Sequence, residues 1–163
     1  MLHITELGVE VERIARGLIA LGVARGDRVG IWSPNRAEWL IAQYASAKAG
    51  AILVNVNPAY RLRELEYTLR QSGVSVLIAA RGFRSADYVA MLDELAPALP
   101  ALKTIVYLGS GHHPDALSWS EVREERAQEI ADIVRDRMQG ATPLAVPLTV
   151  DIGIGANWKD AKS

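Results

Sequence analysis

Apolar residues along this chain fall first into helical and strand patterns that alternate, and then into a different pattern at the end. Leu7, Val11, Ile14, Leu18 and Leu21 recur at steps of four and three, the single stripe of an amphipathic helix. Thr5 is placed to cap that helix and Gly22 to end it. "RVGIW" (Arg28–Trp32) is then a short apolar run closed by the turn residues "SPN". Trp39, Ala42, Ala45 and Ala49 share one face of a second helix, over about 37–49, with Gly50 behind it. The unit repeats. "AILVNV" (Ala51–Val56) reads as a buried strand and "NPAY" as a turn. Leu62, Leu65 and Leu69 mark a helix ending at Gly73. "VSVLIA" (Val74–Ala79) is a third strand. Ser85 is placed to cap a helix carrying Val89, Leu92 and Leu95, and "TIVYL" (Thr104–Leu108) is a fourth strand.

Strands that are apolar without alternation are those of a parallel sheet covered on both faces, with right-handed crossovers. Arg28 to Leu108 therefore reads as an α/β layer, a partial doubly wound parallel sheet of about four strands with flanking helices. Beyond the loop "GSGHHPDA" the grammar changes. A longer helix is expected from about Ser120 to Met138, with Ala127, Ile130, Val134 and Met138 on its stripe. From Leu144 to Ile154 every second residue is apolar, the pattern of a strand with one wet face. Pro147 suits such a strand to a sheet edge. No internal repeat appears beyond the strand–helix alternation.

The bulk numbers narrow the class without naming a chemistry. A chain of 163 residues, half of them hydrophobic, reads as one globular domain with a real core. Its formal net charge of −1 gives no electrostatic case for nucleic acid or an acidic membrane. It has no cysteine, so thiol chemistry is excluded and a cytoplasmic setting is expected. "MLHITELGVEV" lacks the basic-then-apolar order of a signal peptide. "AGAILV" is far too short to span a bilayer.

Candidate chemistry is thin. His112 and His113 are adjacent in a glycine-rich loop, with His3 distant, and read as surface loop rather than metal ligands. "GSG" follows a strand but no helix opens behind it, and "GIG" falls in or just after the alternating strand, so both read as turn or strand glycines rather than a phosphate cradle. "SPNRAEW" lies between a strand and a helix, a typical ligand edge. The plainer reading has Ser33 or Asn35 capping the helix and Trp39 packing inward. "EVREERAQEIADIVRDR" reads as a solvated helix face. No acid pair and no Ser–His–Asp order stands out. The residues themselves show no catalytic, cofactor-binding or metal site.

The order "GDRV", "PN", "EW", "AKAGA", "VNPAY", "ELEY" and "SGV", continued by "DYVAMLDELAPALPALKTIVYLG", resembles the AMP-forming acyl-CoA synthetases of the adenylate-forming superfamily from about Ile4 to Trp119. The resemblance implies that the family's activity needs ATP, Mg and coenzyme A. The acid is activated as an acyl-adenylate and then passed to the thiol. It also implies that this N-terminal part is framework. The family's Ser/Thr/Gly-rich phosphate loop, aromatic-Gly-x-Thr-Glu segment, ribose-binding Asp and C-terminal Lys have no counterpart here, and a few dozen family residues are expected before Met1. Without donors around the phosphates, adenylation has no electrostatic stabiliser, so the chain alone is expected to be inactive and to need no cofactor.

"MQGATPLAVPLTVDIGIGANWKDA", within about Glu121–Ser163, resembles the C-terminal end of bacterial family-A DNA polymerases, without the carboxylates that hold that family's metal ions. This implies a chimeric or fragmentary chain divided at about 1–119 and 120–163. The tail's eight acids outnumber its six Lys and Arg, so nucleic-acid binding by this chain alone is not expected. A truncated α/β layer is expected to expose apolar surface and to self-associate.

Overall fold

The computed structural model describes residues 4–124. The expected alternating strand, most of the expected long helix, "GIG" and His3 lie outside the described residues. The elements run α1 (Ile4–Ala20), β1 (Arg28–Trp32), α2 (Ala37–Lys48), β2 (Ile52–Val56), α3 (Leu62–Ser72), β3 (Val76–Ala79), β4 (Gly82–Phe83), β5 (Ala86–Asp87), α4 (Tyr88–Leu95), β6 (Thr104–Tyr107), β7 (Leu117–Ser118) and α5 (Trp119–Arg123). A single turn of 3₁₀ helix, Ala96–Ala98, follows α4.

Five strands form one parallel sheet in the order β2-β1-β3-β6-β7. The expected four are present. The fifth, β7, is too short for hydrophobic periodicity to reveal, and it adds to the far side of β6. Side chains alternate across the sheet because the strand period is two. Val29, Ile31, Val76, Ile78, Val106 and Leu108 meet α1, α2 and α5 on one face. Trp32, Val56, Leu77, Ala79 and Tyr107 meet α3 and α4 on the other. The doubly wound reading is thus correct.

Helix ends follow their residues. At the end of α1, Gly22 takes φ +84 and Val23 N–H donates to Leu18 C=O at 3.1 Å, the wrapped end that only glycine enters without strain. Gly73 closes α3 in the same left-handed region. The structure corrects four expectations. Thr5 lies inside α1, so it caps nothing at the described start. Ser85 sits in the tight β4–β5 hairpin, and Asp87 caps α4 instead, its Oδ1 accepting from Ala90 N–H at 3.1 Å. β2 is an edge strand with Ile52 52% exposed, not a buried one; an apolar run gives a strand but not its number of neighbours. The helix expected to run on from Ser120 stops at Arg123, because Glu124 is extended (φ −70, ψ 159).

The start of α5 is built from "SWSE". Ser118 N–H donates to Glu121 Oε2 at 2.7 Å, and Glu121 N–H donates to Ser118 Oγ at 3.3 Å, a reciprocal cap. Gly17 lets α5 lie directly on α1: a Cβ there would stand 2.3 Å from the Val122 carbonyl oxygen.

Candidate functional site at the carboxyl edge of the sheet

Open α/β sheets bind ligands outside the carboxyl ends of their strands, where the strand order reverses. Here that point lies between β1 and β3. The register sets Val56, Trp32, Ala79 and Tyr107 in one row across the carboxyl end. The protein's own rings fill the space. Trp32 is fully buried and stacks on Tyr88, with centroids 3.5 Å apart and planes at 8°. Trp32 Nε1 donates to Asn57 C=O at 3.1 Å, and the Tyr88 hydroxyl donates to Pro58 C=O. Asn57 Oδ1 accepts from Ala59 N–H at 2.9 Å and tightens the turn. "NPAY" is the expected turn, and it also supplies both carbonyls that lock the stack. Burial pushes the Tyr88 phenol up to about 12, so it is a neutral hydrogen-bond donor at any physiological pH.

Beside this plug lies a polar cluster. Arg81, just past β3, sets its guanidinium 5.0 Å from the Tyr107 ring centre and donates from Nη2 to Gly111 C=O at 2.7 Å. His113 packs at 54° against Tyr107, with centroids 5.4 Å apart. Asp115 N–H donates to His113 Nδ1 at 3.2 Å, which leaves the neutral ring's proton on Nε2, 3.1 Å from Asp93 Oδ1. The cluster ties loop 109–116 to the sheet. Arg81 Nε and the Tyr107 hydroxyl are buried without a partner, and burial pushes the Tyr107 phenol up to about 12. His112 is exposed. Among the described residues no three His, Cys, Asp or Glu converge on a metal position.

"SPNRAEW" corrects the expected cap: neither Ser33 nor Asn35 caps α2. Ser33 Oγ donates to the Pro34 carbonyl at 2.9 Å. The N-cap position is Arg36, with no side-chain cap bond. The Arg36 guanidinium grips Glu38 at 2.9 and 2.7 Å and holds its carboxyl below the usual range. Trp39 packs against the core from a half-buried position. On the α1, α2 and α5 side an open groove of about 700 Å³ has Val9, Ala37, Ile41 and Trp119 among its walls. At its rim the Arg123 guanidinium bridges to Glu10, one bond 3.0 Å long, and holds that carboxyl below its usual range.

Among the described residues, those at this edge do not fit a nucleoside triphosphate. The switch point is plugged, and Gly109 and Gly111, at φ +86 and +118, lead to β7 rather than to a helix whose N–H groups face a phosphate. Sequence reasoning missed Trp32, Arg81, Tyr88 and Asp93. Trp32 left a signal: a large aromatic at the last position of a strand leading to the usual ligand edge.

Comparison with known proteins gives the parentage. The acetoacetyl-CoA synthetase of Streptomyces lividans superposes with a TM-score of 0.69 at 27% identity, over 75% of this chain and 20% of that one. The mitochondrial medium-chain acyl-CoA ligase ACSF2 of Bos taurus is 36% identical over 141 residues, 78% of this chain and 23% of that protein. ACSF2 of Danio rerio is 48% identical over 90 residues, 55% of this chain and 15% of that protein. The chain thus spans less than a quarter of the length of these relatives. Among the described residues no helix is long and apolar enough to cross a membrane. The family match, to "AMP-binding enzyme", runs over residues 4–149. On that match, and on the sheet that agrees with it, the chain belongs to the AMP-binding enzyme family.

Proposed function

We propose that this chain is a framework layer of an AMP-forming acyl-CoA ligase and does not adenylate an acid by itself. One observation carries the second half of this reading: the Trp32–Tyr88 stack occupies the crevice where a doubly wound sheet would hold a ligand. Family membership and the likeness to acyl-CoA ligases support the first half. In the complete enzyme ATP would supply the adenylate and the pyrophosphate leaving group, Mg the neutralisation of its charge, and coenzyme A the acceptor thiol. Here β1, β2, β3 and β6 form a stiff floor behind that chemistry. The test is pyrophosphate release by the purified chain with ATP, Mg, coenzyme A and a series of carboxylic acids of rising length, beside calorimetry with ATP. The reading expects no turnover and no heat. Turnover dependent on an added acid would overturn it.

A second reading has its own observation. Val9, Leu40, Tyr44, Ile52 and Tyr67 are between 41% and 69% exposed, and the open edge at β2 carries neither charge nor proline, the usual protections of an edge strand. We infer that the chain self-associates through apolar surface. Light scattering across a dilution series tests this. A mass that stays monomeric at every concentration would sink it.

A further inference from the structure

A sheet edge offers main-chain hydrogen bonds to whatever strand meets it. Here the sheet ends at β2. Ile52 N–H donates to Asp27 C=O at 2.8 Å, so Ile52 turns its main-chain groups towards β1. A strand alternates with a period of two. Val54 and Val56 therefore face β1 as well, and Leu53 and Asn55 turn their N–H and C=O groups outward. The flanking residues are engaged within the chain. Ala51 N–H donates to Ser46 C=O at 2.9 Å. Asn57 C=O accepts from Trp32 Nε1 and from Tyr60 N–H, each at 3.1 Å. The outward groups are thus centred on Val54, with Leu53 on one side and Asn55 on the other.

Such an edge complements itself. Turned about a two-fold axis at Val54, it sets Leu53 of each copy opposite Asn55 of the other, and each such pair exchanges both of its N–H···O=C bonds. Ile52, 52% exposed, then lies opposite Val56 of the other copy, and Val54 opposite its own duplicate. A two-fold contact brings each charge near its own copy, and from Ala49 to Tyr60 the chain carries none. Among the described residues the other open edges are too short to receive β2: β7, β4 and β5 are 2 residues each. Resting on the self-association read above, we propose that two copies of this chain pair β2 to β2, antiparallel, across a two-fold axis at Val54. The five-stranded sheet then runs on through both copies, and the symmetry closes the contact at a dimer.

The chain has no cysteine, so a single introduced one reports the register. Val54→Cys and Ile52→Cys are each made in the full chain. In the dimer Val54 faces its duplicate at a Cα separation of about 4.5 Å, within disulfide reach. The two Ile52 positions are offset along the paired strands by about 13 Å, out of reach. Under mild oxidation Val54→Cys should form covalent dimers about tenfold faster than Ile52→Cys, although Ile52 is the more exposed of the two. Equal rates, or a faster Ile52→Cys, would overturn the pairing. A second measurement separates the edge from the rest of the apolar surface. Asn55→Pro removes an outward N–H that β1 does not use, and by light scattering it should raise the concentration needed for association by about tenfold. Val9→Ser and Tyr67→Ser should leave that concentration unchanged. Association lost in those two and kept in Asn55→Pro would leave self-association standing and remove the β2 contact. A parent chain that stays monomeric at every concentration would remove both.

Discussion

The two helical layers hold the same sheet by different means. On the α3 and α4 side the contact is an aromatic stack sealed by two backbone carbonyls, with Trp32, Tyr88 and Tyr107 all fully buried. On the α1, α2 and α5 side the helices approach through small residues and charged bridges, and a groove stays open. The sealed layer excludes water from the edge where a ligand would sit. The open layer carries the first and the last of the described helices. Closure and access are thus divided between the two faces of a single sheet.

The largest expected effect tests the seal. Trp32→Ala removes the biggest buried ring and strands Tyr88, and should cost about 3–5 kcal/mol, read as a drop in the denaturant midpoint. A cost no larger than that of a surface substitution would make the two layers equivalent. Next comes the open side. Gly17→Val forces a side chain against Val122 and should cost about 1–3 kcal/mol, with exchange protection lost first in α5. Loss spread evenly over the sheet would show that α5 is not separately attached.

A pair of tyrosines sharpens the comparison within the sealed layer. Tyr88→Phe gives up a hydrogen bond to Pro58 C=O and should lower stability by about 0.5–1.5 kcal/mol. Tyr107→Phe removes a buried hydroxyl that has no partner and should be neutral or stabilising. Both phenols are held up at about 12, above the ordinary 10.0. The fold favours their neutral forms, so this contribution is complete below pH 10 and is lost as the pH rises towards 12. A stability curve flat from pH 8 to 12 would contradict it.

The smallest effect belongs to the Glu10–Arg123 bridge, whose arginine is 45% exposed. Arg123→Ala should cost about 0.2–1 kcal/mol near neutral pH. The Glu10 carboxyl lies below its ordinary 4.5, so the contribution is present above that value and fades as acid protonates it. The difference between variant and parent should therefore vanish in acid, and a constant difference would assign the loss to packing.

The sheet was legible because β1, β2, β3 and β6 are mostly continuous apolar runs set between helical stripes, the signature of a parallel layer. β7 was not, since two residues carry no period. The edge position of β2 was not either, since "ILVNV" has the same apolar character in the middle of a sheet or at its margin. Gly22 and Gly73 announced their helix ends because left-handed backbone selects glycine. Asp87 displaced Ser85 as a cap because the intervening hairpin moved the helix start, and a two-residue strand pair leaves no pattern to read. The polar cluster could not be read from sequence. Arg81, Asp93, Tyr107 and His113 stand 32 residues apart at the extremes, and only the register of β3 with β6 brings them together.

The strand order also has a consequence for how the chain acquires its fold. β1 pairs with β2 on one side and β3 on the other, and it is made before either. The nearest pairing closes a loop of only about two dozen residues, and such closures are among the cheaper non-local ones. The sheet is therefore expected to grow outward from its earliest strand, with β6 and β7 added in the order in which they emerge from the ribosome.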